Sequence, residues 1–351
     1  MDGFEIGKIV AGDKRAIEKA VGKWAGQPVD DRRVTDGDAG FQPCRTTIGA
    51  AVSVTGPGTF YGKAKRTLVF KPSDRPGWWI KRTDQAEQLP VEVCPGNVWT
   101  ATRNIVLRSG SPHNYLRMAE HIIALRQGLG VDDLLIETDN GDPPLFDRSS
   151  LDLVEAVEKA GIVPSPAGGD APWITVREPV TIGGGRGDFV TLLPAKPGQR
   201  KLTMDVAIDW RSVLGQQRVV FDVTRDNFVH GAGARTNATR SQMFLAKTVG
   251  VLFADMRHLG YTKKNILIHG RKRYVNTPLP QFDLDGRNYE AVWHRATLDL
   301  LAAIALLPGR FAGTAVSYRA GHSLDARLMT LLQLHDLLAP VAQPRADVRG
   351  Q

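Results

Sequence analysis

The sequence predicts an α+β protein of two similar modules, and three observations predict it. Its 351 residues exceed what one ordinary hydrophobic core covers. Short segments of alternating apolar residues precede helix-patterned segments, and this order occurs twice. The stretch "SPAGGDAP", 165–172, divides the two runs with turn-forming residues. Strands grouped ahead of helices also argue against a doubly wound βαβ sheet. The expected organisation is a partly mobile N-terminal extension (1–45), domain 1 (46–164), a linker (165–172), domain 2 (173–338) and a tail (339–351).

In the extension, Lys14–Trp24 is patterned as a short amphipathic helix, and "GQPVDDRRVTDGDAGFQP" after it reads as a polar linker or loop. Domain 1 opens with four short strands, from "IGAAVSVTGPG" to "PVEVCPGNV". The segment "SPHNYLRMAEHIIALRQGLG" reads as a helix capped by Ser111, with Pro112 in its first turn and Gly128 or Gly130 at its end. "VDDLLIETD" reads as a strand, and "SSLDLVEAVEKAG" as a helix from Ser149 or Ser150 to Gly161.

Domain 2 repeats the plan. A hairpin over 173–194 precedes the strands "KLTMDVAIDW" and "QQRVVFDV". A helix over "SQMFLAKTVGVLFADMRHLG", a hairpin over "KNILIHGRKRYV" and a long helix over "NYEAVWHRATLDLLAAIALLPG" follow. The strand "RFAGTAVSYRAGH" and the helix "SLDARLMTLLQLHDLLA" complete it.

The bulk numbers exclude several classes. There are 45 basic and 37 acidic residues, and the net charge of +8 favours anionic partners: a phosphorylated small molecule, nucleic acid or an acidic membrane surface. Two cysteines, Cys44 and Cys94, permit neither a zinc finger nor a disulfide framework and fit a reducing compartment. The first residues lack a signal-peptide pattern. The longest apolar run, around Leu298–Leu307, is about half the ~18 residues of a membrane span. The expectation is a cytoplasmic monomer with a small-molecule substrate and no transmembrane segment, leaving room for peripheral membrane contact.

Two glycine-rich spots fail as phosphate loops. "GTFYGKA" has the wrong spacing and Ala64 in place of a hydroxyl, and "IGGGRGD" lies inside a hairpin. The basic run "GRKRY", 270–274, lacks interleaved aromatics, so nucleic acid is not the expected partner. The histidines carry more when taken together. A hydrolytic zinc uses about three N or O ligands and keeps one position open. His121, His294 and Asp299 supply such a set, Glu120 adjoins a ligand as a proton acceptor, and His322 is available as a proton donor.

These residues resemble the zinc-dependent UDP-3-O-acyl-N-acetylglucosamine deacetylases of lipid A biosynthesis, over about Val54 to Leu334. "TGPGTFYGKAKRTLVFKPS" resembles that family's opening "TG-G-H-G" segment, and "RMAEHIIALRQGLGVDDLLIETDNGDPPLFDRSS" its "EHL-aL-glGIDN" helix, strand and "P-mDGS" turn. "LAKTVGVL" resembles its "ARTFGF", "EAVWHRATLDLLAAIALL" its "F-RHK-LD-IGDL", and "YRAGHSLDARLMTLL" its "GHaLNn-Ll". The resemblance implies two α+β domains, each a mostly antiparallel sheet with a helix pair, the helices sandwiched between the two sheets. It implies Zn²⁺ held by His121, His294 and Asp299, Glu120 as general base and His322 as general acid. Thr248 would help hold the tetrahedral oxyanion, and Arg295 stands where the family has a lysine. The implied reaction is acetamide hydrolysis of an N-acetylated amino sugar, UDP-3-O-acyl-N-acetylglucosamine or a relative of it, with release of acetate.

One departure concerns the ligand helix itself. The family's aspartate follows its histidine by four residues, whereas Asp299 follows His294 by five and position 298 is Leu. On a regular helix the fifth residue lies about 140° away. A single inserted residue, absorbed as a π-bulge, would return Asp299 to His294. The family's next helix aspartate, a partner for the general acid, falls at Ala303, and "HGAGARTNATRSQ" (230–242) has no counterpart in this reading. These differences sustain an alternative: a non-catalytic or re-purposed relative that binds a nucleotide sugar or another glycan.

Overall fold

A computed structural model describes residues 4–85, 87–248 and 258–342. The chain runs β1 (Lys8–Ala11), α1 (Lys14–Ala25), β2 (Asp31–Arg33), β3 (Val52–Pro57), β4 (Lys65–Lys71), β5 (Trp78–Arg82), β6 (Val91–Glu92), α2 (Glu120–Leu129), β7 (Leu134–Thr138) and α3 (Leu151–Ala160). It continues through β8 (Val180–Gly183), β9 (Phe189–Pro194), β10 (Leu202–Trp210), β11 (Gly215–Asp222), α4 (Arg225–Ala232), β12 (Thr236–Thr239), α5 (Arg240–Lys247) and β13 (Ile266–His269). A helix over 290–304 (α6), β14 (Gly313–Tyr318) and α7 (His322–Leu334) follow, with shorter strands between.

The result is a mixed α and β fold with several sheets. Five strands order as β3-β4-β7-β5-β6, and seven as β1-β8-β9-β14-β10-β11-β2. α2 and α6 are largely apolar and buried on nearly every face, as helices packed inside a protein are. Ile122, Ile123, Ala124 and Leu125 of α2 are at most 1% exposed. Every residue of α6 is buried. α2 packs against α6, α6 against α7, α3 against β3, and α7 against β8 and β9.

The N-terminal region, expected as a partly mobile extension, is built into the body. β1 pairs parallel with β8 and β2 parallel with β11, so early residues form both edges of the seven-stranded sheet. Between them Trp24 of α1 is 3% exposed, and its indole nitrogen donates to Asp205 at 3.1 Å. Strands of four and three residues carry no readable alternation. Only the unpaired sheet edges define them, by supplying partners for their backbone groups.

The helix expected from Ser111 starts at Glu120. Asn114 N–H closes a turn on the Ser111 carbonyl, and Tyr115–Leu116 pairs with Val106–Arg108. Inter-strand hydrogen bonds thus outweigh the local Ser-Pro start signal. The helix does end at Gly130, which takes the left-handed conformation at φ 64° that an end of this kind uses. α4 was not anticipated; Thr224 caps it by accepting from Asn227 N–H at 3.3 Å. Of the helix expected over 241–260, positions 249–257 lie outside the described residues, as do 343–351 of the expected tail.

Candidate active site

The widened turn expected between His294 and Asp299 is present. Glu290–His294 is α-helical, Arg295–Leu300 is π-helical, and Leu301–Ile304 is α-helical again. Leu301 N–H donates to the Ala296 carbonyl, five residues back. Thr297 Oγ1 donates to the Trp293 carbonyl from inside this segment, a back-bond that loosens the regular ladder. With the turn widened, Asp299 Oδ1 lies 3.3 Å from His294 Nε2. His294 Nδ1 stands 3.0 Å from the Ala234 carbonyl, which can only accept. Nδ1 therefore carries a proton, and Nε2 faces the site.

α2 supplies its residues from its first turn. Glu120 is 2% exposed; its Oε2 accepts from Ile105 N–H at 2.8 Å, which leaves Oε1 toward His322 Nε2 at 3.9 Å. The preceding Met118 is held at φ 50°, an unusual value for a side-chain-bearing residue, and it turns the chain into the helix. The ring centres of His121 and His294 are 5.3 Å apart. His322 opens α7, and its Nε2 lies 3.1 Å from Asp299 Oδ1. Glu120, His121, His294, Asp299 and His322 come from separate stretches of chain and meet in one cluster.

Two further expected residues lie elsewhere. Thr248 sits exposed at the end of α5, its hydroxyl donating to the Phe244 carbonyl at 2.7 Å. Arg295 is buried and turned away from the imidazoles. It donates to Asp325 at 2.7 Å, Ser317 Oγ at 3.1 Å and the Ala320 carbonyl at 2.9 Å. The threonine at the cluster is Thr236, whose Oγ1 is 3.1 Å from His121 Nε2 and 3.4 Å from His294 Nε2. A buried ion pair places it: Arg235 grips Glu290, the first residue of α6, at 2.7 Å. The sequence held the signal. The tripeptide Ala234-Arg235-Thr236 repeats the "ART" of the family segment that had been matched to Ala246-Lys247-Thr248.

Burial and neighbouring charge divide the protons. Burial raises the Glu120 carboxyl. Burial, reinforced by His294, pushes His121 down to about 3, so its imidazole is neutral and free to bind as a base. Burial opposes charge on Asp299, but His322 and His294 outweigh it and hold this carboxyl well below its usual range. Burial likewise opposes charge on His322, yet Asp299, with Glu120 and Asp325 behind it, raises this imidazole to about 9. A carboxyl with a raised pKa beside a protonated imidazole is an acid–base pair of opposite roles.

The donor set suits a divalent cation. Two atoms bound about 2.0–2.1 Å from one tetrahedral ion stand about 3.4 Å apart, close to the His294–Asp299 separation of 3.3 Å. Asp299 Oδ1 is buried and has no aligned hydrogen-bond partner, an orphan that a cation would satisfy. Among the described residues no three such side chains already close on one point. The Thr236 hydroxyl fills the gap between the imidazoles, and a cation held by both would take that place.

Fold and site together define a class: a mixed α/β protein with a histidine–carboxylate centre buried between helices. The family model for UDP-3-O-acyl N-acetylglycosamine deacetylase matches residues 45–333, and the chain belongs to that family. A UDP-3-O-acyl-N-acetylglucosamine deacetylase of Campylobacter hominis is 28% identical over 294 residues, covering 83% of this chain and 92% of the relative. One of the same name from Brucella ovis is 28% identical over 295 residues, covering 82% and 94%. No helix among the described residues is long and apolar enough to cross a membrane.

Proposed function

We propose that this chain removes the acetyl group of UDP-3-O-acyl-N-acetylglucosamine, or of a closely related N-acetylated amino sugar, as a zinc-dependent amidohydrolase. The reading takes the helices as the layer between the two larger sheets, with the reaction at the cluster they enclose. The observation that carries it is the π-helical turn, which sets Asp299 Oδ1 3.3 Å from His294 Nε2. A helix widened by one residue where it pairs a buried carboxylate with an imidazole fits a functional site, where such turns are frequent.

His121, His294 and Asp299 would hold Zn²⁺. The ion would supply Lewis acidity toward the amide carbonyl and toward water. Glu120, kept proton-accepting by its buried setting and oriented by Ile105 N–H, takes the proton of the attacking water. Thr236 Oγ1, which a bound ion would move aside from between the imidazoles, would stay next to the ion and donate to the developing oxyanion in the role first assigned to Thr248. His322, protonated at neutral pH, gives its proton to the leaving amine. The aspartate missing at Ala303 is offset by Asp299 itself, 3.1 Å from His322.

The test is acetate release from the UDP-linked substrate, together with the metal content of the purified chain. One tightly held Zn²⁺ per chain and a fall of about 10²–10⁴-fold for Glu120→Ala are expected. A metal-free chain without hydrolytic activity that still binds the nucleotide sugar would instead establish the re-purposed relative.

A further inference from the structure

The run "GRKRY" at 270–274 has no part in the hydrolytic site, yet it lies on an unusual surface. α5 (Arg240–Lys247) turns about 100° per residue. Met243 points inward, buried in a small cluster with Ile266 and Ile268. The next two positions face out: Phe244 is 70% exposed and Leu245 57%. The outward face of a surface helix is ordinarily polar. Beside Phe244 opens a cleft of about 690 Å³. Its lining includes Arg211, Arg240, Arg271, Lys272, Arg273 and Phe244, and no acidic residue is among the described residues that line it. The loop bearing Arg211 and the hairpin bearing 271–273 are fastened together. Trp210 stacks on His269 with ring centres 5.7 Å apart, and Val213 N–H donates to the Gly270 carbonyl at 3.1 Å. Five cations are thus held on one face despite mutual repulsion, a cost that an anionic partner removes.

We propose that this face docks on an anionic lipid bilayer. Basic side chains draw it to the headgroups, and Phe244 and Leu245 enter the boundary of the acyl region, the pattern of an interfacial helix. The apolar pair decides against nucleic acid: base stacking uses several interleaved aromatics, whereas this face offers one aromatic ring and an aliphatic chain with no base to stack on. β12 runs from Thr236 at the cluster to Thr239 at the cleft, three steps or about 10 Å. Docking therefore brings the catalytic cluster close to the lipid interface. The proposal does not depend on the hydrolase reading, because it rests on a separate surface.

The experiment is co-sedimentation of the full-length chain with vesicles of phosphatidylcholine alone or mixed with phosphatidylglycerol. Binding to the mixed vesicles only, weakening as salt rises, is expected. Each basic residue near such a surface is worth about a fivefold change in partition, so Arg271→Gln/Lys272→Gln/Arg273→Gln should lower binding about a hundredfold. Phe244→Ser/Leu245→Ser should lower it at every salt concentration. All five positions are exposed, so both variants should melt with the native chain, and deacetylation of a soluble substrate should be unchanged. Failure of the native chain to bind the mixed vesicles would overturn the proposal. So would unchanged binding by the triple variant, or tighter binding to single-stranded RNA that ignores the Phe244/Leu245 substitutions.

Discussion

α2 and α6 each carry an imidazole to the same place, by opposite means. α2 uses its first turn. Glu120 and His121 are adjacent, and the entering chain, with Met118 at φ 50° and Ile105 N–H on Glu120, aims them. α6 uses its interior. There every residue is enclosed, no loop can adjust, and the only freedom left is the pitch of the helix, which is spent between Arg295 and Leu300. A helix terminus adapts to a site through its approach; a buried helix adapts through a defect.

The comparison breaks most sharply at Asp299. Asp299→Ala should abolish stoichiometric zinc and acetate release together, as read by metal analysis and product assay. Leu298→Asp/Asp299→Leu, which returns the carboxylate to the four-residue spacing within a chain built for five, should not restore either. It also places a charge at a position 0% exposed and should lower stability by several kcal/mol. Activity surviving in that swap would show that the π-helical turn is not needed to position the ligand.

Thr236→Val comes next, with an expected loss of about 10²–10³-fold in kcat, the range for removing one oxyanion donor. Thr248→Val, by contrast, should stay within a few-fold of the native rate. The pH profile sharpens the same site. In the proposed role His322 acts while protonated, and Asp299 and Glu120 raise its pKa, so the rate should fall on the alkaline side. The sign for stability is the same. In the metal-free chain the stabilisation from its proton is complete below the ordinary imidazole value of about 6.5 and is lost as pH rises through about 9. Thermal melts of His322→Asn across that window should lack the slope.

The smallest effect is expected at the start of α2. Ser111 lies nine residues ahead of the helix and caps nothing, so Ser111→Ala should change stability by no more than about 0.5 kcal/mol. A loss near the ~1 kcal/mol of a true helix cap would put the helix start back at Ser111.

These cases also mark what the sequence could tell. The π-helical turn was legible because Asp299 follows His294 by five residues where the family it resembles has four, and a π-bulge absorbs one extra residue. Gly130 and Gly161 were legible as helix ends because both need positive φ, 64° and 75°. The start of α2 was not, since Tyr115–Leu116 finds its strand partner outside its own segment. Arg295 and Thr248 were assigned by position in a motif, yet Arg295 and the threonine that does stand at the cluster, Thr236, are aimed by partners remote in sequence. Asp325 draws the one inward, and the Arg235–Glu290 pair carries the other into the cluster. The literal letters of the tripeptide at 234–236 could have corrected the second.

The seven-stranded sheet also imposes a timetable. Residues 8–11 and 31–33 leave a ribosome well before their partners, 180–182 and 219–221. At roughly 5–20 residues per second, β2 waits on the order of ten seconds or more for the strand it joins. Both segments therefore lie unpaired through much of synthesis. Whatever shields nascent chains in the cell has a long task at these two segments.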